Sequence, residues 1–228
     1  MIGVVIPTLN EVEFLPALLD DLGRVLVPLD IVIADGGSSD GTLAAASGAG
    51  VQAIAAPRGR ARQMNAGARA VAGHWLLFLH ADSRLPPQAR RALLHAVVDE
   101  PQLEAAVFGF SIDLPPGWKR FIEVGQVLRQ RMYGLAYGDQ GLLIRRELFE
   151  AVGGYPDMPL LEDVAALRAL RRRARVRTLP AAIVTSGRRY QRDGVLRTWL
   201  RHTAIIFLYL LGVRPQHLLR WHDGSSRA

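Results

Sequence analysis

Residues 29–42 read LDIVIADGGSSDGT, and the order of residue types in this stretch decides what kind of fold the chain can adopt. Residues 31–34 form a short apolar run that ends abruptly at Asp35, which is typical of a buried strand in a parallel sheet. Two glycines follow, and the polar residues 38–40 can cap a helix that begins at Thr42. The stretch therefore predicts a strand, a tight loop and a helix, in that order.

The same pattern repeats along the first hundred residues. Short apolar runs that predict strands occur at 2–6, 51–56 and 75–79, and helical spacing of apolar residues occurs at 11–26, 42–47, 60–72 and 87–99. Alternation of strands and helices at this spacing indicates consecutive βαβ units. We therefore predict an α/β fold with a mostly parallel sheet flanked by helices on both faces.

The pattern changes after residue 104. A longer strand is predicted at 105–114, followed by a loop at 115–117 and then further helices. We expect one domain over 1–228, in which 1–104 form a nucleotide-binding half, 105–190 an acceptor-side half and 191–228 a C-terminal helical extension.

Composition excludes several classes of protein. The 228 residues contain no cysteine, so neither a disulfide framework nor a zinc-thiolate site is available. The net charge is +7, yet Lys119 is the only lysine and no nucleic-acid-binding motif accompanies the arginines, so we expect no nucleic-acid partner. Because the chain opens on a strand pattern without a basic segment or cleavage site, we expect a cytoplasmic protein.

Polar or small residues follow three of the predicted strands. PTLNE (7–11), DGGSSDGT (35–42) and HADS (80–83) each begin where an apolar run ends. Ligands of open parallel sheets bind beyond the carboxyl ends of the strands. The sequence therefore predicts a binding site where these three segments converge.

Two groups of residues suit a nucleotide at this edge. Asp35 can accept a hydrogen bond from the imide of a uracil or from a ribose hydroxyl, and the glycines after it allow close backbone approach. Arg58, Arg60 and Arg62 lie in the turn before a predicted helix, where cations and helix N–H groups favour a diphosphate.

The HADS segment suits a divalent cation. Asp82 follows the small residue Ala81 and can hold Mg²⁺ or Mn²⁺ by one carboxylate while a diphosphate completes the coordination shell. His80 can support Asp82 or, for Mn²⁺, act as a ligand itself. The alternative is that this segment merely caps the turn before Pro86.

A pair of acidic residues, Glu162 and Asp163, lies near the start of another predicted helix. Adjacent helical side chains project about 100° apart, so one carboxylate can face a site while the other orients it. A carboxylate in such a place can act as a general base. The alternative is an acidic helix N-terminus with no catalytic role.

The ordered set of motifs resembles family 2 of the inverting glycosyltransferases, and more narrowly the small bacterial branch of radical-SAM/selenodomain-associated transferases. The motifs are PTLNE, DGGSSDGT, LFLHADS, GDQGLLIRR, GGYPDMPLLEDV and TSGRRY, and they extend over nearly the whole chain. The resemblance implies a GT-A fold, in which a Rossmann-like sheet binds a sugar nucleotide, most commonly a UDP-sugar, and a second half binds an acceptor.

The resemblance also implies roles for individual residues. By position, Pro7, Thr8 and Glu11 would line the nucleoside pocket and Asp35 would bind the base. Together with Arg62 of the turn before the third helix, and with Ala81 and Asp82 of the HADS segment, they are the residues that we expect to contact the donor nucleotide. Asp82 stands at the metal-binding position of the family's Asp-x-Asp motif, and His80 departs from the motif because it replaces the first aspartate. Asp163 would be the base that deprotonates an acceptor hydroxyl, with Glu162 beside it. A basic segment at Arg188 and Arg189 would lie over the phosphates.

Two other functions remain open on sequence alone. A nucleotidyltransferase can use a similar α/β layer, but its first loop should carry a glycine-rich phosphate signature with a lysine, which PTLNE lacks. A catalytically inactive module that binds a sugar nucleotide or a membrane surface is the second alternative.

The segment 196–213 is the most apolar part of the C-terminal region. Its nearly continuous apolar run, 203–213, is shorter than the roughly 20 residues that a spanning helix needs. The segment therefore predicts either a buried helix that closes the core or a helix on the surface that contacts the inner membrane or a second copy of the chain.

Overall fold

The computed structural model describes residues 1–133 and 138–222. Strand and helix alternate through the first half, as predicted. The elements are β1 (Ile2–Thr8), α1 (Leu15–Gly23), β2 (Leu29–Asp35), α2 (Thr42–Gly48), β3 (Gln52–Ala55), α3 (Arg60–Ala70), β4 (Trp75–Phe78), β5 (Ser83–Arg84) and α4 (Pro87–Val98).

The second half mixes longer strands with helices. Its elements are β6 (Ala105–Asp113), α5 (Pro116–Tyr133), a 3₁₀ turn (Gly138–Gln140), β7 (Leu142–Arg145), α6 (Arg146–Ala151), α7 (Glu162–Arg171), β8 (Val176–Ser186), α8 (Arg188–Asp193), α9 (Val195–Leu210) and α10 (Pro215–His222).

All eight strands belong to one sheet, in the order β3-β2-β1-β4-β7-β6-β8-β5. The four strands β3, β2, β1 and β4 are mutually parallel, and β6 and β8 are also parallel to each other. β7 runs antiparallel to both of its neighbours. The predicted α/β class with a mainly parallel sheet is confirmed, and the antiparallel β7 joins the two halves.

Among the predicted boundaries that differ from the structure, two concern the loops before helices. The first helix was expected from Glu11, but α1 begins at Leu15, and residues 11–14 form a turn in which the Glu11 carbonyl accepts the N–H groups of Phe14 and Leu15. The loop expected at 115–117 is shorter, because α5 already begins at Pro116. Proline is suited to the first turn of a helix, where its missing N–H has no partner to lose.

The sheet is covered on both faces because its strands are apolar on both sides. On β1, Val4 and Ile6 pack with α1 and α4, while Val5 between them packs with α3. Two separate buried clusters result, one on each side. This is the pattern expected of a parallel sheet between two helical layers.

The C-terminal helices form a third apolar cluster beyond the sheet. Ile205 and Ile206 of α9 and Leu218 of α10 pack against Leu160 and Leu161, which precede α7. The prediction of a buried closing helix is therefore correct for one side of α9 only. None of the helices in the described residues combines the length and hydropathy that crossing a bilayer requires.

The close packing of α3 on the sheet gives a direct test of the fold. A Cβ at Gly67 would lie 2.3 Å from Val5 Cγ1 and 3.2 Å from Val32 Cγ1. Gly67→Ala should therefore lower the free energy of unfolding by about 1–3 kcal/mol through overpacking. Gly48→Ala is the matched control, because nothing lies within 4 Å of its added Cβ. Denaturant titration of both variants checks this, and equal stabilities would contradict the packing described.

Candidate active site

The carboxyl ends of β1, β2 and β4 lie side by side, because β1 pairs with both of the other strands. Thr8 at the end of β1 donates from Oγ1 to Asp35 Oδ1 at 2.9 Å. The buried amide of Gln63 on α3 donates to the carbonyl oxygens of Thr8 and Ala34, at 2.7 and 2.8 Å. The predicted convergence of these strand ends is confirmed, and a helix side chain ties two of them together.

Asp35 is the centre of the loop after β2. Its carboxylate accepts hydrogen bonds from the Thr8 hydroxyl, the Gly37 N–H and both the N–H and the hydroxyl of Ser38. The residue is only 3% exposed. Burial acts to raise the pKa of Asp35, but the hydrogen bonds from Ser38, Gly37 and Thr8 outweigh it and hold the pKa below its ordinary value. Asp35 thus shapes the loop.

The loops after β1 and β2 are joined to each other by further hydrogen bonds. Asn10 has φ +58°, and its Oδ1 accepts the N–H of Ser39 at 2.8 Å. The Asp40 carboxylate accepts the N–H of Val12 at 3.1 Å and caps the first residue of α2, Thr42. The two loops therefore form one connected wall beside the strand ends.

The HADS segment is held in place by its own turn and by β8. Ser83 N–H donates to the His80 carbonyl, and Ser186 N–H donates to the Asp82 carbonyl at 3.2 Å. Pairing of β5 with β8 continues this contact. The end of β4 is thereby attached to the start of the basic segment that follows β8.

Arg188 connects the segment after β1 to the segment after β4. Its guanidinium lies 2.6 Å from Glu11 Oε1 and 3.5 Å from Asp82 Oδ2. It also lies over the ring of Phe14, 4.4 Å from the ring centroid, in a cation–π contact. Glu11 Oε2 is buried and has no hydrogen-bond partner among the described residues. A donor provided by a ligand can satisfy that oxygen.

Burial dominates the electrostatics of His80 and Asp82. Burial, followed by the charges of Arg60, Arg189 and Arg188, lowers the pKa of His80 to about 3, so the imidazole is neutral at physiological pH. Burial also raises the pKa of Asp82, against the opposing effect of the same arginines. Three arginines thus surround Asp82, and their charges favour its carboxylate form although burial disfavours it.

The start of α7 presents two carboxylates in different surroundings. Leu161 precedes the helix at φ +64°, a left-handed conformation that a leucine adopts only under strain. Glu162 is 2% exposed, and its Oε1 lies 2.7 Å from Arg60 Nε. Asp163 faces the cavity described next, and its Oδ1 accepts the N–H of Val164 at 2.7 Å. Burial raises the pKa of Glu162, and the adjacent Arg60 counteracts this.

A cavity of ≈ 180 Å³ lies beside these groups, and its lining combines two kinds of side chain. Nine of the lining residues are polar or charged: Arg60, His80, Asp82, Asp139, Asp163, Thr185, Ser186, Arg188 and Arg189. The others are mainly apolar: Phe110, Ile112, Ile122, Gln126, Leu160, Leu161, Tyr190, His202, Ile205 and Ile206. Such a cavity suits a ligand with an anionic part and an apolar part.

The predicted site residues fall into three groups. His80, Asp82 and Asp163 line the cavity, and Glu11 reaches it through Arg188. Pro7, Thr8, Asp35 and Ala81 are buried at the strand ends outside the cavity lining. Glu162 is also outside the lining, but it contacts the lining residue Arg60.

Arg62 does not lie in the cavity. Its Nε pairs with Asp157 at 2.9 Å on an exposed surface, and Arg60 takes the place at the cavity instead. Sequence reasoning also missed Asp139, although it lies inside the quoted GDQ motif, and His202, for which no motif gave a signal.

The donor set at the HADS segment fits a divalent cation that a substrate helps to bind. The described residues contain no cluster of three or more acidic, histidine or cysteine side chains that could hold a metal by itself. Mg²⁺ is usually bound through one or two carboxylates with substrate phosphates and water as the other ligands. The Asp82 carboxylate, with the neutral His80 imidazole nearby, meets that requirement.

The curled sheet, with polar loops at the carboxyl ends of its parallel strands and a second half built on β6 and β8, is the GT-A architecture of glycosyltransferases. The chain belongs to glycosyl transferase family 2, whose family model matches residues 3–152.

Two similar proteins illustrate this membership. A PGL/p-HBAD biosynthesis glycosyltransferase of Mycobacterium bovis is 32% identical over 171 residues, which are 68% of this chain and 63% of that protein. An undecaprenyl-phosphate 4-deoxy-4-formamido-L-arabinose transferase of Serratia proteamaculans is 30% identical over 168 residues, which are 66% of this chain and 51% of that protein. This chain thus spans less than two thirds of these relatives.

Among solved structures, the mannosyltransferase PcManGT of Pyrobaculum calidifontis, in complex with GDP-Man and Mn²⁺, matches with a TM-score of 0.61 at 24% identity. The match covers 81% of this chain and 56% of that one. The likeness establishes a shared fold.

The hydrogen bonds of Asp35 predict an acid-sensitive site loop. Asp35→Asn removes two acceptor positions and should lower the free energy of unfolding by about 2 kcal/mol at neutral pH. Because the folded-state pKa is depressed, the stabilisation is complete above the unfolded value of about 3.9 and is lost as pH falls through the folded pKa. The variant should therefore lose less stability than the wild type on acidification.

Asp20→Asn is the control for this test, because Asp20 pairs with Arg24 on the exposed surface, where ion pairs contribute little. Denaturant unfolding at pH 7 and pH 3 measures all three proteins. Parallel pH curves for Asp35→Asn and the wild type would show that Asp35 is not stabilised by these contacts.

Proposed function

We propose that the protein transfers a sugar from a nucleoside-diphosphate sugar to an acceptor hydroxyl. The observation that carries the proposal is the cavity at the sheet edge, which Asp82, three arginines and Asp163 line together. Family membership gives the reaction class, and the GDP-Man bound to PcManGT is a donor of this kind. Family membership also makes a nucleotidyltransferase the weaker alternative.

The arginines of the cavity are suited to the leaving diphosphate. Arg60, Arg188 and Arg189 line the cavity, and all three act electrostatically on Asp82. Charges fixed in a partly buried site stabilise a developing negative charge better than the same charges in water. In this proposal they attract the donor and stabilise the nucleoside diphosphate as it leaves.

A divalent cation is part of the proposal, with Asp82 as its ligand and His80 beside it. When bound, the cation supplies further positive charge for the diphosphate oxygens. The Mn²⁺ in the complex of PcManGT supports this assignment.

Asp163 is the proposed general base. It removes the proton of the acceptor hydroxyl as the acceptor oxygen forms a bond to the anomeric carbon. The bond from that carbon to the diphosphate oxygen breaks at the same time, and its electron pair leaves with the nucleoside diphosphate. Attack from the face opposite the leaving group gives inversion in one displacement. Glu162 has a different role in this proposal: its Oε1 lies 2.7 Å from Arg60 Nε, so it positions the Arg60 guanidinium and does not take the proton of the acceptor hydroxyl.

The apolar residues of the cavity lining favour an acceptor whose hydroxyl is attached to a hydrophobic group. Ile122, Leu160, Ile205 and Ile206 offer no hydrogen bonds to a sugar or a phosphate. The undecaprenyl-phosphate in the name of the Serratia relative has such an apolar chain, but it carries a phosphate where the proposed acceptor carries a hydroxyl. We propose an acceptor of this general chemistry.

If Asp163 is the general base, its substitution should reduce turnover without changing donor binding. Asp163→Asn keeps the size of the side chain but removes its ability to take a proton, so turnover should fall by ~10²-fold or more. Affinity for nucleoside diphosphate should hardly change, because the base acts on the acceptor. Steady-state transfer and titration calorimetry give the two values.

Glu162→Gln is the companion variant. It should reduce turnover less than Asp163→Asn, and it should lower stability because Arg60 loses its buried partner. Near-normal turnover of Asp163→Asn would contradict its role as the base, and an inactive Glu162→Gln would move the role to Glu162. Binding of donor without any turnover by the wild type would favour the inactive module instead.

The metal assignment predicts that nucleotide binding depends on a divalent cation. Affinity for UDP or GDP measured with Mn²⁺ should fall about tenfold or more on adding EDTA, and Asp82→Asn should show the same loss without EDTA. Asp99→Asn is the control, since Asp99 is exposed at the end of α4, away from the cavity. Unchanged affinity in EDTA would rule out the role given to Asp82.

A further inference from the structure

The exposed large apolar residues are concentrated on two helices. Nine of the fourteen found in the described residues lie on α5 and α9 or directly after α9: Trp118, Phe121, Val124, Val127, Leu128, Leu196, Leu200, Phe207 and Leu211. We call this set the α5–α9 face. The other five are scattered over the molecule, as single exposed apolar residues commonly are.

Ring contacts join the two helices into one surface. The rings of Trp118 and Phe121 lie 6.1 Å apart, and those of Phe121 and Trp199 lie 5.0 Å apart. Gly125 allows the approach, since a Cβ there would lie 3.1 Å from the indole nitrogen of Trp199. The α5–α9 face is therefore continuous across the helix contact.

Each of the two helices has an outer and an inner side. On α9, Leu196, Leu200 and Phe207 project from one narrow stripe, because their spacings of four and seven residues return to the same side of a helix. Ile205 and Ile206 point the other way and line the cavity. α5 does the same, with Ile122 and Gln126 at the cavity. The wall between cavity and surface is one helix thick.

The charge around this face is positive. Among the side chains that the structure describes, α9 carries Arg197 and Arg201 and no acidic residue, and α5 carries Lys119, Arg120 and one glutamate, Glu123. Arg201 is paired with Asp193 and Lys119 lies 3.9 Å from Glu123, so the positive charge of the face comes mainly from its exposed arginines. Arg120, Arg197 and Arg214 are exposed around it. Apolar residues bordered by cations on a helical surface are the pattern of helices that lie in the interface of an anionic bilayer.

We infer that the α5–α9 face binds the surface of an anionic lipid bilayer. The aromatic and aliphatic side chains enter the headgroup region, and the bordering arginines contact lipid phosphates. The binding itself does not depend on the proposed reaction. Its consequence does: an acceptor anchored in the bilayer by an apolar tail would then be held close to the cavity, one helix away from it.

Vesicle co-sedimentation tests the inference without donor or acceptor. The anionic vesicles contain phosphatidylcholine with roughly 30 mol% phosphatidylglycerol, and the neutral vesicles contain phosphatidylcholine alone. The wild type should bind the anionic vesicles and should bind the neutral vesicles much more weakly. The double variant Leu200→Glu/Phe207→Glu should bind the anionic vesicles at least about tenfold more weakly, since it removes buried apolar contact and adds repulsion.

The matched control is Leu26→Glu/Val98→Glu, which makes the same change at exposed apolar residues outside the α5–α9 face. The control variant should bind the anionic vesicles about tenfold more strongly than the test variant does, as the wild type should. UDP or GDP titration of both variants confirms that the site is intact. Equal vesicle binding by the test and control variants would overturn the inference.

A second copy of the chain is the competing occupant. Size-exclusion chromatography with light scattering distinguishes it: a wild-type dimer that fails to bind vesicles, and that Leu200→Glu/Phe207→Glu converts to a monomer, would also overturn the inference. The test variant should lose vesicle binding but still transfer sugar to a soluble acceptor, because neither substituted residue lines the cavity. Vesicle binding and sugar transfer are therefore measured independently, and each hypothesis can fail without the other.

Discussion

The site depends on the satisfaction of hydrogen-bonding groups where the parallel strands end. Three strands stop side by side, and each leaves backbone and polar groups that must find partners away from water. Asp35 collects four donors from Thr8 and its own loop, and the Gln63 amide bridges the carbonyl groups of two strands. These buried bonds make the edge rigid, and the loops that define the cavity extend from it.

A second constraint connects this edge to the far half of the chain. Arg188 contacts Glu11, 177 residues earlier, and approaches Asp82 at 3.5 Å. The pairing of β5 with β8 brings these three residues together, because it fixes the start of the basic segment against the HADS turn. Charges that are distant in sequence thereby become one electrostatic unit, in which arginines surround the partly buried carboxylate of Asp82.

The cavity combines this unit with an apolar wall. Strain at Leu161 sets the direction in which α7 begins, and adjacent positions then separate the two carboxylates, with Asp163 at the cavity and Glu162 beside Arg60. α5 and α9 add side chains from their inner sides to the cavity lining, while their outer sides carry an apolar, cation-bordered surface. The same two helices thus shape both the site and the surface next to it.

The sequence by itself determined the parallel α/β half, since apolar runs such as 29–35 lie at the observed strand positions and their polar ends mark the site. His80 and Asp82 could be chosen as site residues because they follow the apolar run 75–79, and Asp163 because it belongs to the acidic pair at 162–163; all three line the cavity. Sequence could not choose between Arg60 and Arg62, because residues two apart project to nearly opposite sides of a helix and only the packing of α3 fixes which side faces the cavity. Likewise, the apolar run in α9 does not state which of its sides is buried. That is decided by contacts with Leu160 and Leu161, which lie over forty residues away in the chain and come close only in the folded protein.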